Sequence, residues 1–218
     1  MSVVNRAEKQ RAGAEPGPSS TEWAAALAAL HRGEAVGFPT ETVWGLGVDA
    51  ASSAAVAGLT RLKGRPPGKA LQVCCASAAQ ARALAAPGQP LFEALCAHLP
   101  GPLTLVAHAA ETCPAWLSVE GQVGVRVPDH PLILALLERW GGALATSSLN
   151  PAGQPSARNL AEAQGYGLAS VLLGDSADHA AGLPSTVVDC TTGRVLRQGA
   201  FPLDALQPLL ALAREQGA

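Results

Sequence analysis

The stretch Gly-Val-Arg-Val-Pro-Asp-His-Pro at positions 124–131 decides the fold class, because one element ends in it and another begins. Alternation in its first half predicts a strand over Val123–Val127, in which every second residue is buried. The proline at its end suits the first position of a helix, and apolar residues on one face predict that helix over Pro131–Trp140. A strand is predicted next, over Ala143–Ser147. Strand, helix and strand in this order indicate an α/β or α+β sheet.

The same alternation of elements continues on both sides of this stretch. Thr21 can cap a helix that runs through Leu30, and Gly33 can end it. Further helices are predicted around Val56 to Leu62, Leu91 to Leu99 and Leu203 to Arg214, and further strands over Ala35 to Phe38, Leu71 to Cys75, Leu103 to His108, Val171 to Leu173, Thr186 to Asp189 and Arg194 to Leu196. We expect a mixed sheet in a single domain over residues 21–218, preceded by a disordered tail over residues 1–20.

Bulk composition narrows the class of protein. The chain has 218 residues, 48% of them hydrophobic, which is enough for the core of one large domain. Its formal charge of -2 disfavours proteins that hold nucleic acid mainly through phosphate contacts, so an RNA contact would need a local patch. No apolar stretch approaches the roughly 20 residues that cross a bilayer. Five cysteines without a C-x-x-C pair indicate a reduced, cytoplasmic protein, and the histidines show no metal-binding pattern.

Two glycine-rich segments resemble nucleotide-binding motifs but fail as such. Residues 45–50 have the form of a dinucleotide fingerprint, yet that motif needs a strand before it and an acidic residue about 20 positions later. Residues 64–70 resemble a phosphate loop, yet they have one residue too few between the glycines and no Ser or Thr after Lys69. A Walker-type ATPase is therefore rejected. The sequence also lacks the motifs that are typical of serine hydrolases and zinc proteases.

The segment at residues 63–69, Lys-Gly-Arg-Pro-Pro-Gly-Lys, concentrates positive charge on a stiff backbone. Lys63, Arg65 and Lys69 are three cations within seven residues. Arginine can fork onto two phosphate oxygens, while lysine supplies a compact charge, so the arrangement suits a polyphosphate. A solvated basic loop is the alternative.

Three other segments place hydroxyl groups beside glycine. Residues 38–47 leave a strand with two hydroxyls and a carboxylate, although an ordinary turn with Thr40 or Glu41 as a cap is an equal alternative. Residues 147–153 and 182–189 share this character. Arg126 falls at a buried position of its strand and needs an anionic partner, which is either a structural carboxylate or a substrate carboxylate.

Taken in order, six segments resemble the YrdC family. They are residues 39–47, 63–66, 100–104, 124–128, 148–150 and 185–189, with the sequences Pro-Thr-Glu-Thr-Val-Trp-Gly-Leu-Gly, Lys-Gly-Arg-Pro, Pro-Gly-Pro-Leu-Thr, Gly-Val-Arg-Val-Pro, Ser-Leu-Asn and Ser-Thr-Val-Val-Asp. The resemblance spans about Thr21 to Phe201. It implies a twisted, mostly open sheet flanked by helices around a large concave cavity.

The resemblance also implies an activity, the synthesis of threonylcarbamoyl-AMP from L-threonine, bicarbonate and ATP with magnesium. It implies that the basic segment faces the ATP phosphates, with Lys63 and Arg65 as the catalytic cations. The implied nucleotide contacts are Lys63, Arg65, Lys69, Ser148, Asn150, Ser156 and Arg197, and the implied threonine contacts are Thr40, Arg126 and Ser185. The product would pass to the machinery that modifies tRNA, and a weak contact with tRNA itself is possible.

Three positions depart from the family pattern. Trp44 stands where the family usually has tyrosine, Cys74 stands near a usual histidine, and Lys69 is followed by alanine where proline is common. A thiol cannot replace an imidazole as a strong donor. Two alternatives remain open, a non-catalytic RNA-binding module and a carbamoyltransferase domain related to hydrogenase maturation.

Overall fold

The computed structural model describes residues 17–65 and 71–216, with side chains up to residue 211. Most of the predicted tail and the predicted phosphate contact Lys69 therefore lie outside the described residues. The first helix, α1, spans Ser20–His31. Its cap is Ser19 and not Thr21, because the Ser19 hydroxyl accepts from the Glu22 backbone N–H while the Glu22 carboxylate accepts from Ser19. The helix and its cap thus begin before Thr21, the residue that was predicted to cap it.

The other elements alternate along the chain as the sequence predicted. The helices are α2 (Ser53–Leu62), α3 (Ala78–Leu84), α4 (Pro90–Cys96), α5 (Pro131–Trp140), α6 (Leu160–Tyr166) and α7 (Leu203–Gln216), with a 3₁₀ helix at Ala115–Leu117. The strands are β1 (Val36–Phe38), β2 (Gly45–Asp49), β3 (Gln72–Cys74), β4 (Leu103–His108), β5 (Gln122–Arg126), β6 (Leu144–Ser148), β7 (Val171–Leu172), β8 (Thr186–Asp189) and β9 (Arg194–Arg197). The predicted bounds of α5, β4 and β8 are confirmed, and β2, α3 and α6 were not predicted.

The nine strands found among the described residues form one mixed sheet in the order β7-β1-β2-β6-β3-β5-β4-β8-β9. Strand β3 lies at its centre, parallel to β5 on one side and antiparallel to β6 on the other. The expected fold class, a mixed sheet flanked by helices, is confirmed.

The central strands separate a core face from a cavity face by their alternation. On β5, Val123 and Val125 are fully buried in the main core, while Gly124 and Arg126 line a cavity on the opposite face. Strand β4 does the same, because Leu105 enters the core and Thr104 faces the cavity. Side chains of successive strand residues point to opposite faces, so the polar residues of both strands collect in one place.

Strand β2 includes residues 45–47, for which no strand was predicted. It pairs antiparallel with β1, with Gly45 opposite Phe38 and Gly47 opposite Val36. A Cβ atom on Gly45 would lie 2.6 Å from the Phe38 ring, and one on Gly47 would lie 2.9 Å from it. The glycines therefore make room for a neighbouring aromatic ring.

The five cysteines are all free thiols. Among the helices in the described part of the chain, none is long and apolar enough to span a membrane.

Candidate active site

A cavity of about 540 Å³ opens on the polar face of the sheet. Its floor carries Gln72 and Cys74 from β3, Thr104 from β4, Gly124 from β5 and Thr146 from β6. A volume of this size suits a small molecule. The floor itself is polar but carries no charge, so charged groups of a ligand would have to bind to charged side chains in the cavity walls.

Arg126 is a buried cation in the wall of this cavity, with 4% of its surface exposed. Its Nη2 atom lies 2.8 Å from Oε1 of Glu41 and donates a hydrogen bond of 2.9 Å to the Thr42 hydroxyl. The structure thus supplies the structural carboxylate that was one of the two predicted partners. The Nε atom of Arg126 is buried and has no hydrogen-bond partner among the described residues. Because an unmet buried donor is costly, this atom is available to a ligand oxygen.

Thr40 holds the connection between β1 and β2 in place. Its hydroxyl donates to the carbonyl of Val43 at 2.6 Å and accepts from the backbone N–H groups of Thr42 and Val43. Below this connection Trp44 is fully buried, as a packing residue should be, and its indole N–H lies 3.4 Å from the carbonyl of Asp178. The loop that places Glu41 and Thr42 next to Arg126 is therefore held by the hydrogen bonds of Thr40 and by the burial of Trp44.

Arg65 and Arg197 add positive charge to the cavity wall. Arg197 donates to the carbonyl of Ser185 from both Nε and Nη2, at 3.0 and 2.8 Å, and Nη2 lies 3.1 Å from the Ser185 hydroxyl. Burial lowers the pKa of the Arg197 guanidinium, and the charges of Arg126 and Arg65 lower it further. Arg197 is therefore repelled by the other two guanidinium groups, and an anion bound beside Arg197 would relieve this repulsion.

Lys63 is buried behind the wall and holds the loop that follows β6. Its ammonium donates to the carbonyl of Ser148 at 2.8 Å and to Oδ1 of Asn150 at 3.0 Å, and it also contacts the Asn150 carbonyl. The same Oδ1 accepts from the Ser148 hydroxyl at 2.6 Å. Burial lowers the pKa of Lys63 to about 8, with a smaller effect from the charge of Arg65. The Lys63 ammonium thus links the C-terminal end of α2 to the loop after β6 through hydrogen bonds.

A series of hydrogen bonds runs from Ser185 in the cavity wall to Gln72 on the floor. The Ser185 hydroxyl lies 2.8 Å from the Thr104 hydroxyl, which donates to the Gln72 side-chain carbonyl at 2.7 Å. The thiol of Cys74 lies 3.3 Å from the Thr146 hydroxyl. Burial raises the pKa of the Cys74 thiol, so Cys74 is a neutral group of the floor. This series of hydrogen bonds fixes the orientation of Ser185 toward the cavity.

Most of the predicted site residues come together here. Those that line the cavity are Arg65, Ser148, Ser156, Arg197, Thr40, Arg126 and Ser185. Lys63 and Asn150 lie directly behind this lining and hold Ser148. Sequence reasoning missed the pairing of Glu41 with Arg126 and the floor residues Gln72 and Thr146. The alternation in β4 and β5 could have indicated the polar floor, whereas no local signal joins Glu41 to a residue so distant in the chain.

Comparison with known proteins identifies the group of sequences to which these features belong. The family model Sua5/yciO/yrdC, described as "Telomere recombination", matches residues 28–199, which is more than half of the chain. A protein of Halorhodospira halophila named threonylcarbamoyl-AMP synthase is 42% identical over 143 residues, covering 65% of this chain and 75% of the relative. One of the same name from Alkalilimnicola ehrlichii is 39% identical over 177 residues, covering 78% and 92%.

Two solved structures have the same architecture. The crystal structure of P. abyssi Sua5 complexed with L-threonine superposes with a TM-score of 0.77 at 34% identity, covering 86% of this chain and 57% of the Sua5 chain. This chain therefore spans less than two thirds of that Sua5 chain. E. coli YciO superposes with a TM-score of 0.76 at 21% identity over 87% of this chain and 94% of the YciO chain, a likeness of fold alone.

Proposed function

Because the chain belongs to the Sua5/yciO/yrdC family, we propose that it is a threonylcarbamoyl-AMP synthase that joins L-threonine, bicarbonate and ATP. The cavity carries this proposal, since it combines a neutral, hydroxyl-rich floor with the guanidinium groups of Arg65, Arg126 and Arg197. Threonine, bicarbonate and ATP all bring negative charge, so their site needs cations and oriented hydroxyls. The relatives named threonylcarbamoyl-AMP synthase support the same activity.

In this proposal Arg126, Thr40 and Ser185 hold the amino acid. The Nε atom of Arg126, buried without a hydrogen-bond partner among the described residues, is offered to the threonine carboxylate. Ser185 is oriented by Arg197 and Thr104. The Sua5 structure complexed with L-threonine, which shares this fold, supports an amino-acid site in such a cavity.

The nucleotide site is proposed around the remaining cations. Arg65 and Arg197 face the phosphates from the cavity wall, with the hydroxyls of Ser148 and Ser156 beside them. Lys63 lies behind the cavity lining, and its ammonium donates to the carbonyl of Ser148, so it places a positive charge close to the proposed nucleotide site. Asn150 supports the same loop. Lys69 is proposed as a further phosphate contact from the segment outside the described residues.

The chemistry that this site would perform needs positioning more than acid or base groups. The threonine amine attacks the carbon of bicarbonate, and loss of water gives a carbamate. A carbamate oxygen then forms a bond to the α-phosphorus of ATP, while the bond from that phosphorus to the oxygen that bridges to the β-phosphate breaks and pyrophosphate leaves. Fixed cations lower the barrier by stabilising charge on the phosphoryl oxygens.

Magnesium is proposed to enter with ATP. Among the described residues no group of three or more His, Cys, Asp or Glu side chains could hold a metal ion. Glu120 and several hydroxyls line the cavity and offer oxygen atoms. This donor set fits Mg²⁺ that is bound mainly by phosphate oxygens and water, where it would neutralise charge on the leaving pyrophosphate.

We further propose that the product passes to the machinery that places threonylcarbamoyl groups on adenosine next to the tRNA anticodon, and that any direct tRNA contact is weak.

The test is pyrophosphate release by the purified protein from ATP and magnesium, with threonine and bicarbonate omitted one at a time. We expect release that requires both. Arg126→Ala should raise the KM for threonine, and Arg65→Ala should raise the KM for ATP, whereas Arg32→Ala, at an exposed pair with Glu34, should change neither. Release that ignores threonine would overturn the proposal. Salt-dependent RNA binding without release would instead support a binding module.

A further inference from the structure

The strands of the described sheet contain four glycines, and three of them are required by packing. A Cβ atom on Gly37 would lie 2.3 Å from the Leu172 side chain, and Cβ atoms on Gly45 and Gly47 would lie 2.6 and 2.9 Å from the Phe38 ring. Side chains do not approach each other so closely. Each of these glycines therefore admits a neighbouring side chain.

Gly124 in β5 differs from these three. A Cβ atom there would lie 3.8 Å from a methyl of Val106 and 3.9 Å from the methyl of Thr104, which are ordinary contact distances. Its φ angle is not in the left-handed region that favours glycine. Glycine inside a strand is less stable than alanine, so Gly124 is an unfavourable choice that neither the backbone nor the neighbours require.

The position of Gly124 suggests what the missing side chain makes room for. Gly124 lies on the cavity floor, paired with Gln72 on one side and Val106 on the other. Arg126 is two residues further along the same face of the strand. Thr104, whose methyl is near the absent Cβ, is hydrogen-bonded to Ser185. Gly124 is thus surrounded by the groups proposed to hold the amino acid.

We infer that bound threonine packs directly against the backbone of Gly124, so that this glycine determines how large a ligand the amino-acid subsite accepts. The inference rests on the proposed function and adds a specificity-determining residue to it. A side chain at position 124 would be tolerated by the protein but would project into the cavity, where it would overlap the ligand.

The test uses Gly124→Ala and Gly124→Val, with thermal denaturation for stability and calorimetry for threonine and ATP separately. Gly124→Ala should keep or raise the Tm by a few degrees. Its dissociation constant for threonine should rise about fivefold, and that of Gly124→Val about 100-fold, because overlap grows with side-chain size. ATP affinity should change less than about threefold in both variants.

Two further glycines are matched controls. Gly165 in α6 has open space around its Cβ position, so Gly165→Ala should raise the Tm without changing threonine affinity. Gly47→Ala should lower the Tm, because its Cβ would collide with Phe38.

The outcomes separate this inference from the proposed function. Wild-type activity together with unchanged threonine affinity in Gly124→Val would overturn the role of Gly124 and leave the proposed function standing. If the Gly124 variants lost affinity for ATP but kept their affinity for threonine, the role of Gly124 would also be overturned and the proposed function would still stand. A wild-type protein that binds neither threonine nor ATP would overturn both.

Discussion

The Nη2 atom of Arg126 lies 2.8 Å from Oε1 of Glu41 at the wall of the cavity. Arg126 ends strand β5, and Glu41 comes from the connection between β1 and β2. The pair gives the most buried cation of the site a counter-charge inside the protein. Its Nε atom is buried and has no hydrogen-bond partner among the described residues.

Glu41→Gln should destabilise the protein by about 3 to 5 kcal/mol, because Arg126 would remain buried without a counter-charge. The effect is measured as the free energy of unfolding in urea. Glu34→Gln is the matched control, since it breaks an exposed pair with Arg32 and should cost less than about 1 kcal/mol. Equal losses in the two variants would show that the buried pair contributes no more than the surface pair.

Pyrophosphate affinity should fall as the pH rises through about 8. The pKa of Lys63 is about 8 in the free protein, below its ordinary value of 10.5. A bound anion favours the protonated ammonium, so binding takes up a proton once free Lys63 has lost its own, and affinity falls by up to about tenfold per pH unit above that pKa. Calorimetric titrations at about pH 7 and about pH 9 measure this fall.

Lys63→Arg is the control for that prediction. Arginine keeps its charge across this range, so the pH dependence of pyrophosphate binding should flatten even if its affinity is weaker. An unchanged pH profile in the variant would assign the dependence to another group.

Pyrophosphate should also raise the thermal stability of the protein, because it relieves the repulsion of Arg197 by Arg65 and Arg126. At about 100 times its dissociation constant the gain is about 2.7 kcal/mol, or about 5 to 10 °C in Tm for a chain of this size. Differential scanning fluorimetry measures the shift. Arg197→Gln should show a smaller shift at the same pyrophosphate concentration and Arg32→Gln the full one. A full shift in Arg197→Gln would exclude Arg197 from the anion site.

Alkylation of the native protein should begin at Cys113. Cys113 is half-buried, whereas Cys74, Cys75, Cys96 and Cys190 are buried. Burial raises the pKa of each thiol and so suppresses the reactive thiolate. Mass spectrometry after treatment with iodoacetamide at about pH 8 should find Cys113 modified first, and all five cysteines modified in denaturant. Early modification of Cys74 would mean that its thiol is reached through the cavity.

Several elements could be predicted because their signals are local. The bounds of β4, β8 and α5 follow from alternation, from apolar residues on one face and from a proline at the helix start. Helices α3 and α6 were missed because each buries a single alanine, Ala81 or Ala163, and so shows no apolar period, whereas α4, which is equally short, buries four residues. Strand β2 was missed because glycine is rare in strands, and the Phe38 ring that requires Gly45 and Gly47 lies on the neighbouring strand.

The sequence by itself determined the alternation of helices and strands, the mixed sheet, and the residue types that suit an anionic ligand. The tertiary structure decided which of these residues meet. Arg126 reaches Thr42, which is 84 residues away in the chain, and Lys63 reaches Ser148, which is 85 residues away. Periodicity reports which side of a strand is buried, but it does not report which strands are neighbours. That order depends on how the whole sheet packs, and it alone brings the cations, the hydroxyls and Gly124 to one cavity.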